Sequence, residues 1–186
     1  MRRVAIALVH HPILDSAGKI VTTAITNLDV HDLSRSARTY GASDYFIVHP
    51  IAAQRELVAR ICDHWENGSS GKRIPSRKEA LTLVRLVSSL DEAIEKLGGR
   101  AAVEVWVTAA RDVAPPMTLR EARERVHSEG KNVLVVFGTG WGLAPELIAS
   151  ADVLLEPVKA EMNADYNHLS VRSACAIILD RLLGAR

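Results

Sequence analysis

Residues 132–143 read NVLVVFGTGWGL, and this stretch decides the fold. The five apolar residues at 133–137 predict a strand that is buried on both faces, as strands of a helix-covered parallel sheet are. Three glycines follow at once, at positions 138, 140 and 142. Because glycine lacks a Cβ, its backbone can come within hydrogen-bonding reach of a bound molecule. The stretch therefore predicts either a ligand-binding loop at the end of a strand or an ordinary glycine-rich turn into a helix.

Further apolar runs alternate with helical patterns along the rest of the chain. Six runs in all predict strands, at residues 4–9, 45–48, 81–87, 103–107, 133–137 and 153–155. Strands separated by helices form parallel sheets, so the pattern predicts an α/β fold with a mostly parallel sheet of about six strands and helices on both faces. The chain has 186 residues and shows no internal repeat or interdomain linker, which predicts one domain over residues 1–186.

Several local signals predict where helices begin and end. Asp29 is expected to cap a helix over residues 29–40, with Gly41 in the position after the helix that favours glycine. Residues 15–27, before that helix, show little periodicity and predict an ordered loop. Capping boxes, in which a Ser or Thr and a Glu three residues later each satisfy a free N–H, are predicted at Ser89 with Glu92 and at Thr118 with Glu121.

Composition restricts the class of protein. The 23 Lys and Arg nearly balance the 22 Asp and Glu, so any contact with nucleic acid must be local. Cys62 and Cys175 lie in apolar helical patterns, which favours packed thiols over a disulfide. His10 and His11 would point to opposite faces of a strand, so they predict no shared metal site. The apolar run at 4–9 is too short for a membrane span or a signal peptide, so we expect a cytoplasmic protein without a membrane anchor.

The order of the motifs argues against two common nucleotide-binding folds. A dinucleotide-binding fold has its glycine fingerprint after the first strand, but here that strand ends in His-His-Pro and the three-glycine loop lies in the last third of the chain. A P-loop would need Gly-Lys-Ser/Thr after the glycines, and the chain has Gly-Leu-Ala there. Ligands of parallel sheets lie beyond the carboxyl ends of the strands, so the small-residue turns at 108–110 and 138–142 are expected to converge on one pocket.

Three segments together resemble a known family. Residues 27–41 (NLDVHDLSRSARTYG), 134–143 (LVVFGTGWGL) and 166–179 (YNHLSVRSACAIIL) look, in this order, like the three motifs of the SPOUT superfamily of RNA methyltransferases. The string YNHLSVRSA is most similar to a SPOUT group that occurs alone or fused to the tRNA guanine-N1 methyltransferase. The resemblance implies a trefoil knot in the C-terminal third, S-adenosylmethionine bound in that knot, and a homodimer with its active sites at the subunit interface.

The resemblance also implies site residues, position by position. Arg35 stands six residues before Gly41, where the ribose 2′-O-methylating branch has its catalytic arginine. That branch has asparagine six positions before the arginine, but here Asp29 holds the place and Asn27 lies two residues earlier. His168 likewise stands where the branch has asparagine. The residues expected to contact S-adenosylmethionine are Thr108, Ala109, Phe137, Gly138, Thr139, Gly140, Trp141, Gly142, Leu169 and Ser170.

Basic residues near these motifs predict contacts to RNA phosphates. Arg38 lies three residues after Arg35 and thus on a neighbouring position of the same helix face. Residues 67–76 (NGSSGKRIPS) are the most loop-like segment of the chain, and the densest group of basic side chains is found there and just beyond, at Lys72, Arg73, Arg77 and Lys78. A plain solvated loop is the alternative interpretation of this segment.

These observations favour transfer of a methyl group to a ribose 2′-hydroxyl of RNA, with tRNA as the favoured substrate. Arginine keeps its proton in proteins, with a pKa above ~12, so Arg35 would act through a phosphate or water while His31 or His168 accepts the proton. Methylation of a base nitrogen is one alternative, with Asp29 or Asp165 as proton acceptor. A non-catalytic RNA-binding and dimerising module that keeps the cofactor pocket is the other, and the near-neutral net charge favours it slightly.

Overall fold

The computed structural model describes residues 1–110, 115–162 and 166–186. The strands are β1 (Val4–Val9), β2 (Ile13–Leu14), β3 (Ile20–Val21), β4 (Tyr45–Val48), β5 (Val84–Val87), β6 (Val103–Thr108), β7 (Asn132–Gly138) and β8 (Val153–Leu155). Six of them form one sheet in the order β5-β4-β1-β7-β6-β8, and every neighbouring pair is parallel. The predicted α/β fold and six-stranded sheet are confirmed.

Helices cover both faces of this sheet, as predicted. They are α1 (Asn27–Thr39), α2 (Ala52–Asn67), α3 (Ser69–Arg73), α4 (Pro75–Leu81), α5 (Leu90–Lys96), α6 (Leu119–His127), α7 (Pro145–Ala149) and α8 (Val171–Leu183). One core layer joins the sheet to α1, α6 and α8, and the other joins it to α5 and α7. Among the described residues, no helix is both long enough and apolar enough to cross a membrane.

Strand β1 lies in the middle of the sheet, which explains why its apolar run does not alternate with polar residues. It pairs with β4 on one side and β7 on the other, and all six of its residues are buried. Ile6 and Leu8 contribute to the core under α1 and α8, while Ala5, Ala7 and Val9 contribute to the core under α5. A strand that packs against helices on both faces reads as a continuous apolar run.

Helix α1 begins earlier than the sequence indicated. Its N-cap is Thr26, whose hydroxyl oxygen accepts a hydrogen bond from the Asp29 N–H at 3.2 Å. The prediction that Asp29 is the cap was therefore wrong by three residues, because two good capping residues lie one turn apart and Thr26 takes the position. The Asp29 carboxylate is buried in the first turn, and its Oδ2 accepts a hydrogen bond from the Thr26 hydroxyl, with 2.6 Å between the two oxygens. The glycine prediction at the other end is confirmed, since Gly41 has φ +73°.

Segment 67–76 is helical, so the prediction of a loop there was wrong. Helix α3 occupies residues 69–73, and Pro75 occupies a first-turn position of α4, where its missing N–H costs nothing. Gly71 is buried, and a Cβ at this position would lie 1.9 Å from the carbonyl oxygen of Trp65. This glycine is required by close packing, not by a turn. Because α4 continues through Leu81, strand β5 begins at Val84 instead of residue 81.

Two smaller predictions need correction and two are confirmed. The predicted loop at 15–27 contains β3, which forms an antiparallel hairpin with β2. At the start of α5, Ser89 caps the helix as predicted, but the Glu92 carboxylate accepts hydrogen bonds from Ser88 instead of Ser89. The capping box at Thr118 and Glu121 is complete. Cys62 and Cys175 are free thiols, and burial raises their pKa values to about 11 and about 12.

Candidate functional site

Thr23, in the loop between β3 and α1, contacts the residues that follow three neighbouring strands of the sheet, β4, β1 and β7. The residues that directly follow β1, β4 and β7 are His10, His49 and Thr139. The Thr23 hydroxyl lies 3.0 Å from His10 Nδ1 and 2.5 Å from the Thr139 hydroxyl, and the Thr23 carbonyl lies 3.0 Å from His49 Nε2. Thr23, His10 and His49 were not among the residues predicted for the site, and no sequence motif marks Thr23.

The glycine loop after β7 is held against the β2 hairpin. The Trp141 N–H donates to the Leu14 carbonyl at 3.1 Å, and the Leu14 N–H donates to the Gly142 carbonyl at 2.9 Å. A Cβ at Gly138 would lie 2.9 Å from the Leu143 side chain, and one at Gly140 would lie 3.0 Å from Ile13. These two glycines are therefore explained by packing within the protein.

Gly142 differs from the other two glycines of the loop. Its φ is +109°, a conformation that side-chain-bearing residues rarely adopt, and a Cβ built on it meets nothing within 4 Å. Beside it, the Trp141 side chain is 54% exposed. The loop thus presents open backbone and an apolar ring on its outer side, which is a surface that can accept a nucleoside-sized ligand.

The third motif lies against the end of the neighbouring strand β6. The Asn167 side-chain amide donates to the Ala110 carbonyl at 3.1 Å. The Thr108 hydroxyl donates to the Val136 carbonyl at 3.0 Å, so it joins β6 to β7. Ser170 is the N-cap of α8, and its side-chain oxygen accepts from the Ser173 N–H. The turns after β6 and β7 lie side by side at the carboxyl edge of the sheet because these two strands are paired.

The predicted cofactor-binding residues differ in what they can offer a ligand. Phe137 is 1% exposed and packs in the core between the sheet and α1, so only its backbone is available. The remaining nine are half-buried or exposed, and they lie at or just after the ends of β6 and β7 or just before α8. These are Thr108, Ala109, Gly138, Thr139, Gly140, Trp141, Gly142, Leu169 and Ser170. The Leu169 side chain is 46% exposed and can therefore contact a ligand.

Arg35 and Arg38 line a groove between α1 and α4. The groove has a volume of about 310 Å³, and Ser76, Arg77 and Glu79 form its other wall. Arg38 pairs with Glu79, with Nε and Oε1 3.0 Å apart. The Arg35 side chain is 59% exposed, and its contact with Asp32 is long, at 3.9 Å. The arginine at the predicted catalytic position is therefore open to solvent and only weakly paired.

Trp65 lies between Arg77, which lines the groove, and His31 on α1. The Arg77 guanidinium lies 5.1 Å from the centre of the Trp65 ring, and the His31 ring meets Trp65 edge-on at 5.4 Å. Burial lowers the pKa of His31, and Arg77 and Arg35 lower it further while Asp32 raises it. Asn27 is the exposed first residue of α1, and Lys72 and Arg73 are exposed at the end of α3.

A partly buried ion pair joins the first and third motifs. Asp29 Oδ1 accepts from Arg172 on α8 at 2.9 Å, and the Asp29 side chain is only 6% exposed. Arg172 was not among the residues predicted for the site, although it lies within the third motif. His168, on the segment before α8, is exposed and lies 5.1 Å from the Tyr166 ring. Asp165, the other acidic candidate for base methylation, lies outside the described residues.

Among residues 1–110, 115–162 and 166–186, no three His, Cys, Asp or Glu side chains lie together in a way that could hold a metal ion. His10 is buried and His11 is exposed, so the two adjacent histidines do point to different surroundings.

The sequence matches a known protein family and individual proteins. A family model described as SAM-dependent RNA methyltransferase matches residues 3–184. An uncharacterized protein of Aquifex aeolicus is 43% identical over 96% of this chain and 87% of its own length. A tRNA (guanine-N(1)-)-methyltransferase of Oleidesulfovibrio alaskensis is 40% identical over 98% of this chain. The chain spans only 42% of the length of that second relative.

Solved structures share the fold. An Aquifex aeolicus TrmH/SpoU tRNA modifying enzyme superimposes with a TM-score of 0.60 over 98% of this chain and 75% of that one, at 12% identity. A structure solved for insights into the 2-OH methylation of C/U34 on tRNA superimposes with a TM-score of 0.57, over 97% of this chain and 94% of that one, at 18% identity. At such identities the likeness is one of fold.

Proposed function

The chain belongs to the family of SAM-dependent RNA methyltransferases, and from this premise we propose that it methylates a ribose 2′-hydroxyl of tRNA. The family and its cofactor, S-adenosylmethionine, agree with the SPOUT resemblance of the three motifs, and so does the fold. The acceptor atom, the RNA and the roles of individual residues are the proposal. The observation that carries it is the exposed, weakly paired Arg35 in a groove of basic side chains beside the first motif.

The residues after β6 and β7 fit an adenosyl cofactor. Gly142 leaves open space where any other residue would place a Cβ, and Trp141 offers an exposed ring next to it. Thr108 is the last residue of the neighbouring strand β6, Ala109 follows it, and Ser170 is the N-cap of α8. S-adenosylmethionine supplies a methyl group that is already activated by its sulfonium. The protein then has to align the acceptor oxygen with that methyl group and remove one proton.

Arg35 is proposed to bind the phosphate next to the target ribose. A guanidinium offers five N–H donors in a planar fork that matches a phosphate. Since Arg35 makes only a long contact with Asp32, little pairing must be broken before it meets an RNA phosphate. A bound phosphate next to the ribose holds the 2′-hydroxyl in place, and the positive charge favours its ionisation.

The proton of the 2′-hydroxyl needs an acceptor other than arginine, and His31 or His168 takes that role in this proposal. His31 lies one turn before Arg35 on the same helix, and its lowered pKa keeps its imidazole neutral at pH 7, as a proton acceptor must be. His168 is exposed on the third-motif segment, close to Tyr166. Asp29 is a poorer candidate, because Thr26 and Arg172 already occupy its oxygens.

Transfer RNA is the proposed substrate, and Arg38, Lys72, Arg73 and Arg77 are the proposed phosphate contacts. All four lie on α1, α3 and α4, and Arg38 and Arg77 share the groove with Arg35. Phosphate contacts position an RNA without reading its sequence, so these residues would orient the substrate. A tRNA substrate would place the reaction in the cytoplasm. The guanine-N1 activity in the name of the longer relative concerns a protein of which this chain matches 42%.

A homodimer completes the proposal. Leu28 on α1 is 59% exposed, and Leu169 before α8 is 46% exposed. Both are close in sequence to a member of the Asp29–Arg172 ion pair. Large apolar side chains exposed beside a site mark a surface that another chain can cover. A second copy there would bring its own residues to the site, as the resemblance implies, and the trefoil knot of the C-terminal third is proposed on the same ground.

Methyl transfer from labelled S-adenosylmethionine to tRNA tests this function, with Arg35→Ala as the diagnostic variant. We expect transfer to fall by at least 100-fold while the Kd of the cofactor stays within about twofold, since a group that stabilises charge in the transition state typically contributes this much. Arg120→Ala is the matched control, because Arg120 is an exposed arginine on α6 with a 4.0 Å contact to Glu124. Equal loss of transfer and cofactor binding in Arg35→Ala would refute the proposed role of Arg35.

A further inference from the structure

Thr23 is held by four hydrogen-bonding contacts to the edge of the sheet. Its N–H donates to the His10 carbonyl at 3.0 Å, and its carbonyl accepts from His49 Nε2 at 3.0 Å. Its hydroxyl lies between His10 Nδ1 and the hydroxyl of Thr139. Thr139 is the first residue of the glycine loop after β7. A chain of side chains therefore runs from the end of β1 to the proposed cofactor loop.

The direction of these hydrogen bonds follows from counting donors. The Thr139 hydroxyl donates to the Val9 carbonyl at 3.3 Å, so it must accept from the hydroxyl of Thr23. Thr23 has then used its only proton and must accept from His10, which fixes the Nδ1–H tautomer of that imidazole. The opposite direction would leave a buried Nε2–H of His10 without an acceptor and the Val9 carbonyl without this donor.

The surroundings of His10 keep its imidazole ring neutral. It is fully buried, and its centre lies 5.5 Å from that of His49. The Ile51 N–H donates to His49 Nδ1 at 3.1 Å, so His49 is also neutral and donates from Nε2. Burial lowers the pKa of His10 to about 4, with a further lowering from His49 and an opposing effect of Asp29. His10 Nε2 has no hydrogen-bond partner within the described chain.

We propose that His10 is a positioning residue for the cofactor loop, acting through Thr23 on Thr139. This inference rests on the proposed binding of S-adenosylmethionine by residues 138–142. The His10 N–H orients the Thr23 hydroxyl, which in turn orients the Thr139 hydroxyl toward the carbonyl of Val9. Thr139 is thereby tied to β1 just before Gly140 and Gly142, and the loop is held in its binding conformation before the ligand arrives. A preordered loop binds more tightly because less conformational entropy is lost on binding.

The position of one N–H group makes the inference testable. The side-chain amide of asparagine places an N–H close to where histidine has Nδ1, whereas that of glutamine places it near Nε2. His10→Asn should therefore keep the donor to Thr23, and His10→Gln should lose it although it fills more of the space. A residue that served only to fill the core would show the opposite order. Thr23→Val and Thr23→Ser form a second pair, because only serine keeps the hydroxyl.

Cofactor affinity measured by calorimetry on the full chain is the readout, with thermal unfolding of each variant alongside. We expect His10→Gln and Thr23→Val to weaken S-adenosylmethionine binding by about tenfold, the effect of one buried hydrogen bond, and His10→Asn and Thr23→Ser to stay within about threefold of the wild type. In steady-state methyl transfer the loss should raise the KM for S-adenosylmethionine and leave kcat within about twofold. Equal affinity in Thr23→Val and Thr23→Ser would overturn the inference.

Trp141 fluorescence separates failure of this inference from failure of the proposed cofactor site. Binding at the glycine loop should change the fluorescence of the wild type. Where calorimetry shows the cofactor bound to Trp141→Phe, the fluorescence of this variant should stay unchanged, because Trp65 lies on α2 and the Trp106 ring is fully buried in the core. Binding without any signal from Trp141 would overturn the cofactor site and the inference together. A Trp141 signal combined with unchanged affinity in His10→Gln and Thr23→Val would overturn the inference alone.

Discussion

The hydroxyl groups of Thr23 and Thr139 are hydrogen-bonded to each other across 116 residues of sequence. Thr23 belongs to the loop between the β2 hairpin and α1, and Thr139 opens the glycine loop. The second motif is thus hydrogen-bonded to the loop that precedes the first motif. This contact links the loop before Arg35 to the loop proposed to bind S-adenosylmethionine, and several measurable properties follow from it and its surroundings.

Stability should fall in mild acid because of His10. The folded protein keeps this ring neutral down to a pKa of about 4, whereas the unfolded chain binds the proton below about 6.5. As the pH falls, the unfolded chain therefore binds a proton at this histidine before the folded protein does. The stability that the neutral buried ring confers is fully present above pH 6.5 and is lost as the pH falls toward 4. We expect about 2 kcal/mol less stability from this group at pH 5 than at pH 7.

Urea unfolding of the wild type and His10→Asn at both pH values isolates this effect. The asparagine has no ionisable group, so the variant should lose about 2 kcal/mol less stability than the wild type on acidification. His31 and His49, whose pKa values are also lowered by burial, remain in both proteins and cancel in the comparison. Parallel pH dependences of the two proteins would contradict the neutral, buried state of His10.

Removal of Arg172 should destabilise the fold more than its exposure indicates. Arg172→Met leaves the Asp29 carboxylate buried, with Thr26 as its one remaining side-chain partner among the described residues. Loss of one member of a buried pair costs about 3 kcal/mol or more, and partial exposure of Arg172 reduces this to about 2. Asp32→Asn is the control, since Asp32 is more exposed and its contact with Arg172 is 3.7 Å. A change below about 0.5 kcal/mol in Arg172→Met by urea unfolding would show that this ion pair does not stabilise the junction of α1 and α8.

RNA affinity should depend on salt through the groove beside Arg35. Each phosphate contact contributes about 0.7 to 0.9 to the slope of log Kobs against log salt concentration. Arg77→Ala is expected to lower that slope by roughly one such unit, and Arg38→Ala by less, because Arg38 already pairs with Glu79. Filter binding of tRNA from 50 to 300 mM salt measures it, and Arg120→Ala should match the wild type. A slope that no groove substitution alters would place RNA elsewhere on the surface.

The pH dependence of methyl transfer should identify the proton acceptor. If His31 accepts the proton, kcat/KM falls as the pH drops through its pKa, which burial and Arg77 hold below the ordinary value of 6.5. His31→Asn should then remove this acidic limb and lower the plateau by about 100-fold or more. His168→Asn is the matched variant for the competing assignment. An acidic limb that survives both substitutions would exclude both histidines.

The strands could be predicted because burial on both faces leaves a direct trace in sequence. The runs at Val4–Val9 and Tyr45–Val48 coincide with the observed strands, and the glycines after Asn132–Gly138 correctly indicated a tight loop. Segment 67–76 was mispredicted because glycine signals a turn by default, whereas Gly71 is present for close packing against Trp65. Composition does not distinguish these two uses of glycine.

From the sequence, site residues could be proposed only where a local motif carried them. Arg35 and the glycine loop belong to such motifs, but the contacts of Thr23, His49 and Arg172 join segments far apart in the chain. From the sequence, His10 could be considered only as a metal ligand. Its neutral state could not be predicted, because it depends on burial by the surrounding fold. Pairing partners of this kind follow from the order of strands in the sheet, which periodicity alone does not give.

Nucleoside mass spectrometry of methylated tRNA tests the central claim most directly. Purified protein, labelled S-adenosylmethionine and bulk tRNA lacking the modification would be incubated, and the product would be digested to nucleosides, with Arg35→Ala in parallel. We expect the label in a 2′-O-methylated ribose for the wild type and no label for the variant. Label on a base nitrogen, or cofactor binding without transfer to tRNA, would contradict ribose methylation of tRNA by this chain.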